Sequence, residues 1–92
     1  MAEKENRLFD KLHSDEISIE ILKFCKFARP TSQIIDHIYH LGNLASQRNK
    51  VMLELSKRLN ELEILKAIEY DNNLKSWKTT KIGDRVLNKY FS

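Results

Sequence analysis

Ninety-two residues are enough for one small domain with a core of roughly 20 side chains. A net charge of +3, from 16 Lys and Arg against 13 Asp and Glu, permits nucleic-acid binding without arguing for it. The lone cysteine rules out an intrachain disulfide, and no apolar run reaches the ~18 residues of a membrane span.

The charged N-terminus lacks the apolar segment of a signal peptide, so a cytoplasmic protein is expected. Two glycines, one proline and plentiful Lys, Glu, Leu and Ile predict a mainly helical chain. Residues 3–12 are predicted to form a charged helix with Leu8, Phe9 and Leu12 on one side. Asp15 stands where a second helix needs its cap. Behind it Ile17, Ile21, Phe24, Cys25 and Ala28 recur at helical spacing, and Ile19 and Leu22 broaden the stripe. Cys25 in that stripe is expected to pack as a small hydrophobe. The helix should end near Arg29, because the residue before Pro30 is pushed out of the α region.

Thr31 is expected to cap a third helix with Ile34, Ile35, Ile38 and Tyr39 on its apolar side and Gly42 as its stop. Ser46 is the next capping residue. It opens a fourth helix that carries Val51, Met52, Leu55, Leu59 and Leu62 in one arc and ends between Leu62 and Leu65. A hairpin is predicted next, with strands from about Leu65 to Tyr70 and from Leu74 to Thr79 around an Asp71-Asn72-Asn73 turn. A last helix opens at Thr80 and aligns Ile82, Val86, Leu87, Tyr90 and Phe91.

The string Trp77-Lys78-Thr79-Thr80-Lys81-Ile82-Gly83 resembles the aromatic-x-x-Thr-x-x-Gly pattern that ends the wing of many archaeal and bacterial winged helix-turn-helix regulators. Trp77 takes the aromatic position, Thr80 the cap and Gly83 the glycine, while Leu59 and Leu62 match the L-x-x-L pair that ends the family's recognition helix. With the order of elements, the resemblance implies a mainly α fold with a small β-hairpin. It would be a single winged helix-turn-helix domain, with its core over 15–91 and an N-terminal helical extension over 1–13. Family members place a Gly-Leu-Ile or Gly-Leu-Val string at the exit from the recognition helix. Here Glu63-Ile64-Leu65 and Lys66-Ala67-Ile68 both compete for that place, and neither has the glycine.

The resemblance implies sequence-specific binding of double-stranded DNA and transcription regulation, with the helix at about 46–62 in the major groove and the hairpin at about 65–79 as wing. Base edges would be met by Gln47 and Arg48 in the first turn and by Asn49, Lys50, Leu53 and Lys57 opposite the apolar arc, with the capping Ser46 also in the DNA-binding set. Arg29, Thr31 and Ser32, where free N–H groups favour an anion, are the candidates for the DNA backbone. Asn72, Asn73, Lys75 and Lys78 on the hairpin complete the set, and strand alternation would put the two lysines on opposite faces. For each of these positions a solvated surface is the competing reading, and Glu54, Glu61 and Glu63 oppose a strong grip on phosphates.

Trp77 and Tyr70 could form a stacking platform for single strands, but packing of the hairpin on the core is the expectation. His37 and His40 lack further ligands at usable spacing, so no metal or other cofactor is expected. No catalytic motif and no small-molecule site stand out, and the chain does not read as an enzyme. The apolar clusters around Leu8, Phe9 and Leu12 and around Tyr90 and Phe91 would serve a homodimer or complete the chain's own core. The alternative function is a winged helix adaptor that binds protein and not DNA.

Overall fold

The computed structural model describes residues 2–42 and 48–91, with side chains over 5–39 and 50–91. Five helices and one hairpin follow in the order α1 Ala2–His13, α2 Glu16–Phe24, α3 Thr31–Gly42, α4 Arg48–Ile64, β1 Ile68–Asp71, β2 Ser76–Thr79 and α5 Lys81–Tyr90. The fold is therefore mainly helical with a two-stranded antiparallel sheet among the described residues.

Asp15 caps α2 as its sequence position requires. Its Oδ1 accepts from the Ser18 N–H at 3.4 Å and its Oδ2 from the Ser18 hydroxyl at 2.8 Å. The helix then stops at Phe24, several residues before the expected end near Arg29. Competition for backbone groups explains the early stop. The Cys25 carbonyl accepts from the Thr79 N–H at 2.9 Å, and Arg29 exchanges two hydrogen bonds with Trp77 at 2.9 and 2.8 Å. Arg29 thus forms an antiparallel bridge to β2 and adds a one-residue third rung to the hairpin.

The exit from α4 shows which of the two competing strings follows the helix. The Ala67 N–H reaches back to the Leu62 carbonyl at 2.9 Å and the Lys66 N–H to that of Glu63 at 3.0 Å. These are the two bonds of a Schellman cap, and they put Lys66 at the left-handed position with φ 63°. Lys66-Ala67-Ile68 is the exit string, with lysine where glycine is the usual choice. The same cap consumes residues 65–67, so β1 begins at Ile68 and not at Leu65. Leu74 and Lys75 likewise belong to the turn, and β2 begins at Ser76. Asp71 builds that turn by accepting from the Asn73 and Leu74 N–H groups at 2.8 and 3.1 Å.

The register pairs Ile68 with Thr79, Glu69 with Lys78, Tyr70 with Trp77 and Asp71 with Ser76. Thr80 caps α5 by accepting from the Gly83 N–H at 3.2 Å, and its own N–H donates to the Ala67 carbonyl at 3.0 Å. The caps of α4 and α5 therefore meet at Ala67, which fixes the last helix against the hairpin.

All helices contribute to one apolar cluster that includes Leu8, Leu12, Ile21, Ile38, Leu55, Leu59, Ala67 and Val86. Met52, expected in the arc of α4, is instead 43% exposed, because it sits at the margin of the stripe defined by Val51, Leu55, Leu59 and Leu62. The terminal helices pack on each other. Leu8 and Leu12 are fully buried, and Phe9 meets Tyr90 and Phe91 at ring distances of 4.6 and 5.8 Å. The two apolar clusters thus cover one another within a single chain.

Candidate nucleic-acid interface

α4 presents an exposed face opposite its buried stripe. Its buried residues turn toward α3 and β1, and Lys50, Leu53 and Lys57 stand exposed on the opposite side at i, i+3 and i+7. Leu53 is 74% exposed, unusual for a leucine on a helix of this length. Asn60 and Ile64 extend the same arc toward the C-terminus and are exposed too. The spacing of Lys50, Leu53 and Lys57 reaches both when carried two turns further, so the sequence holds the signal for them. Arg48 and Asn49 fall in the first turn of α4, with side chains outside the described residues. Ser46 and Gln47 lie outside the described residues altogether.

The acids beside this face are engaged sideways. Arg58 bonds Asp15 through Nε at 2.9 and 3.2 Å, and Glu54 through Nη1 at 2.8 Å. Lys11, from α1, reaches Glu61 at 2.9 Å and Asp15 at 3.5 Å. Burial by itself would raise the Asp15 pKa. The Ser18 hydroxyl and the Arg58 charge outweigh it and hold the carboxyl below its usual value of 3.8. Arg58 is likewise held above its ordinary value, because Glu54 and Asp15 outweigh the burial that opposes its charge. Glu54 and Glu61 thus each reach a cation at the flank of α4, which the sequence alone did not suggest, although Arg58 and Lys11 are both shared with Asp15. Glu63 is exposed near the C-terminal end.

The start of α3 departs from expectation. Thr31 is the first residue of the helix and not its cap, and the Pro30 carbonyl receives the Gln33 and Ile34 N–H groups at 3.0 and 3.2 Å. The Thr31 hydroxyl accepts from the Trp77 indole N–H at 3.0 Å, so it ties the hairpin to α3 and does not face outward for phosphate. Arg29 is also turned inward. Its guanidinium lies 4.6 Å from the centre of the Phe24 ring, and its Nε is buried with no hydrogen-bond partner among the described residues. His37 stacks on Phe24 as well, at 4.1 Å and 6°. Of the three candidates here, only Ser32 is exposed.

On the hairpin, Asn72, Asn73 and Lys75 are exposed at the tip and Lys78 is exposed on β2. Lys75 sits in the turn with φ 49°, so strand alternation does not govern its direction. Lys78 is the register partner of Glu69 across the ladder, which places opposite charges on neighbouring strands. Trp77 is half-buried and meets the edge of Tyr70 at 5.1 Å, an arrangement that suits packing and leaves no open stacking platform.

Cys25 is fully buried, and burial pushes its thiol up to about 12 against the opposing pull of Arg29. Among the described residues no group of three or more His, Cys, Asp and Glu is placed to hold a metal ion, and no helix is long and apolar enough to cross a membrane. Compared with known proteins, the chain matches no family model, no curated protein and no solved structure.

Proposed function

We propose that the chain is a winged helix-turn-helix domain that binds double-stranded DNA and regulates transcription, with α4 as recognition helix and the β1–β2 hairpin as wing. The observation that carries this reading is the outer face of α4. Two lysines and Leu53 stand exposed opposite the core stripe, while Glu54 and Glu61 are paired at the side. The surroundings support it. The α2–α3–α4 order and the hairpin leading into a Thr80-capped helix agree with the order of elements that the resemblance implies. A helix with one basic, slightly apolar face suits the major groove, where lysine can bond guanine and leucine can meet a thymine methyl.

A second reading, an adaptor that binds protein, draws on Leu53 and Ile64, which are 74% and 77% exposed on the same helix. A salt titration of binding to random duplex DNA separates the two. Micromolar affinity that falls steeply with salt supports DNA binding. No binding at low salt supports the adaptor. A homodimer, the form that suits pseudo-palindromic sites, would have to use what the terminal helices leave outside, chiefly Tyr90, which is 47% exposed. Sedimentation at micromolar concentration measures it, and a monomer mass removes it.

A further inference from the structure

Six charged side chains from three parts of the fold meet in one small polar hollow on the flank of α4. They are Lys11 of α1, Asp15 at the α2 cap, and Glu54, Arg58 and Glu61 of α4, with Lys57 of the outer face lining the same hollow. The contacts divide the hollow into two pairings. Arg58 spans Asp15 and Glu54 at 2.9 and 2.8 Å, and Lys11 takes Glu61 at 2.9 Å; Asp15 joins the two, since Lys11 also lies 3.5 Å from it. Asp15 and Arg58 are largely buried, at 13% and 18% exposed, whereas Lys11 and Glu61 remain open to solvent at 23% and 38%. The first pairing is a structural strut. The second lies close enough to the outer face of α4 for its charge to be felt there.

Resting on the DNA-binding reading, we infer that Lys11 masks Glu61. A lysine on α1, in the hollow that Lys57 also lines, thereby sets how strongly α4 holds the phosphate backbone. Glu61 follows Lys57 by one helical turn, and a bare carboxylate there would repel the strand that Lys57 attracts. Lys11 cancels that charge from behind, so the helical extension in front of the DNA-binding elements belongs to the binding machinery. Lys11 is a positioning and screening residue and touches no DNA itself.

The test is a double-mutant cycle on the full chain, read by anisotropy with a labelled random-sequence duplex at low and moderate salt. Lys11→Met keeps the length and helix propensity of the side chain and removes its charge. It is expected to weaken binding roughly three- to tenfold at low salt, with a smaller loss as salt rises. Glu61→Gln alone should bind as well as wild type or slightly better. Lys11→Met with Glu61→Gln should return to within about twofold of Glu61→Gln alone, because Glu61 no longer carries a charge to mask and Asp15 keeps Arg58. Thermal melting of all four proteins separates binding from folding, and the same rescue of affinity is expected whether or not the midpoints move. An inert Lys11→Met overturns the inference alone. A double variant as weak as Lys11→Met also overturns it, since Lys11 would then be touching phosphate directly. A wild type that binds no duplex at low salt overturns the DNA reading, and the inference with it.

Discussion

A methyl group placed on Gly83 would lie 2.5 Å from the Ala67 carbonyl oxygen and 2.7 Å from the Thr79 methyl carbon. Gly83 is not in a left-handed conformation, so space alone demands glycine there. The carbonyl it crowds is the one that also accepts from Thr80, and neither backbone can retreat without breaking a cap. Gly83→Ala is expected to cost about 1–3 kcal/mol, read as a lowered denaturation midpoint. An unchanged midpoint would show that α5 docks less closely. Lys66 presents the opposite case. Its φ of 63° is a conformation glycine adopts freely, yet a lysine is found there. Lys66→Gly should stabilise the fold by about 0.5–1 kcal/mol, the relief of strain exceeding the extra freedom glycine gains when unfolded. A loss of stability would mean that the lysine side chain makes a compensating contact.

Between elements, the Asp15–Arg58 junction gives the fold an acid limb. The folded pKa of Asp15 lies below the unfolded one, so its contribution to stability is complete above the unfolded value of 3.8 and disappears as pH falls through the folded value. Asp15→Asn should therefore be less stable than wild type at neutral pH and lose less stability on acidification below about pH 4. Parallel acid limbs in the two proteins would assign the acid sensitivity to other carboxylates. Periodicity made the stripes of α2, α3, α4 and α5 legible, along with both caps at Asp15 and Thr80, because these depend on residues close in sequence. What stayed hidden depends on distant partners. Nothing near Cys25 or Arg29 announces that their backbone groups serve Thr79 and Trp77, so α2 read too long. Thr31 looked like a cap because its hydroxyl partner, the Trp77 indole, is 46 residues away. The outer face of α4 was legible as far as Lys57. The ion pairs that screen its flank were not, since Lys11 and Glu61 are 50 residues apart.

For the molecule as a whole, the first helix decides whether the remainder can stand alone. Residues from Asp15 onward hold every element assigned to DNA binding, and the sequence invites treating the segment before them as an appendage. The packing argues otherwise. Leu8 and Leu12 are fully buried in the common cluster, Phe9 covers Tyr90 and Phe91, and Arg85 of α5 reaches Glu5 at 3.0 Å. Removing two buried leucines from a core costs about 2–5 kcal/mol each. A chain of this size has roughly 5–14 kcal/mol in total. A fragment beginning at Glu16 would lose both leucines, the ring cluster, the Asp15 cap and the partner of Arg58 together. It is expected to show no cooperative melting transition and to expose the apolar sides of α2 and α5, read by binding of a hydrophobic dye. The full chain should melt cooperatively. Its sedimentation measures whether Tyr90 and the rest of the outer rim join two copies. A fragment that melts as cooperatively as the full chain would show that α1 adds little to the core, and would return the terminal apolar clusters to service as a dimer surface.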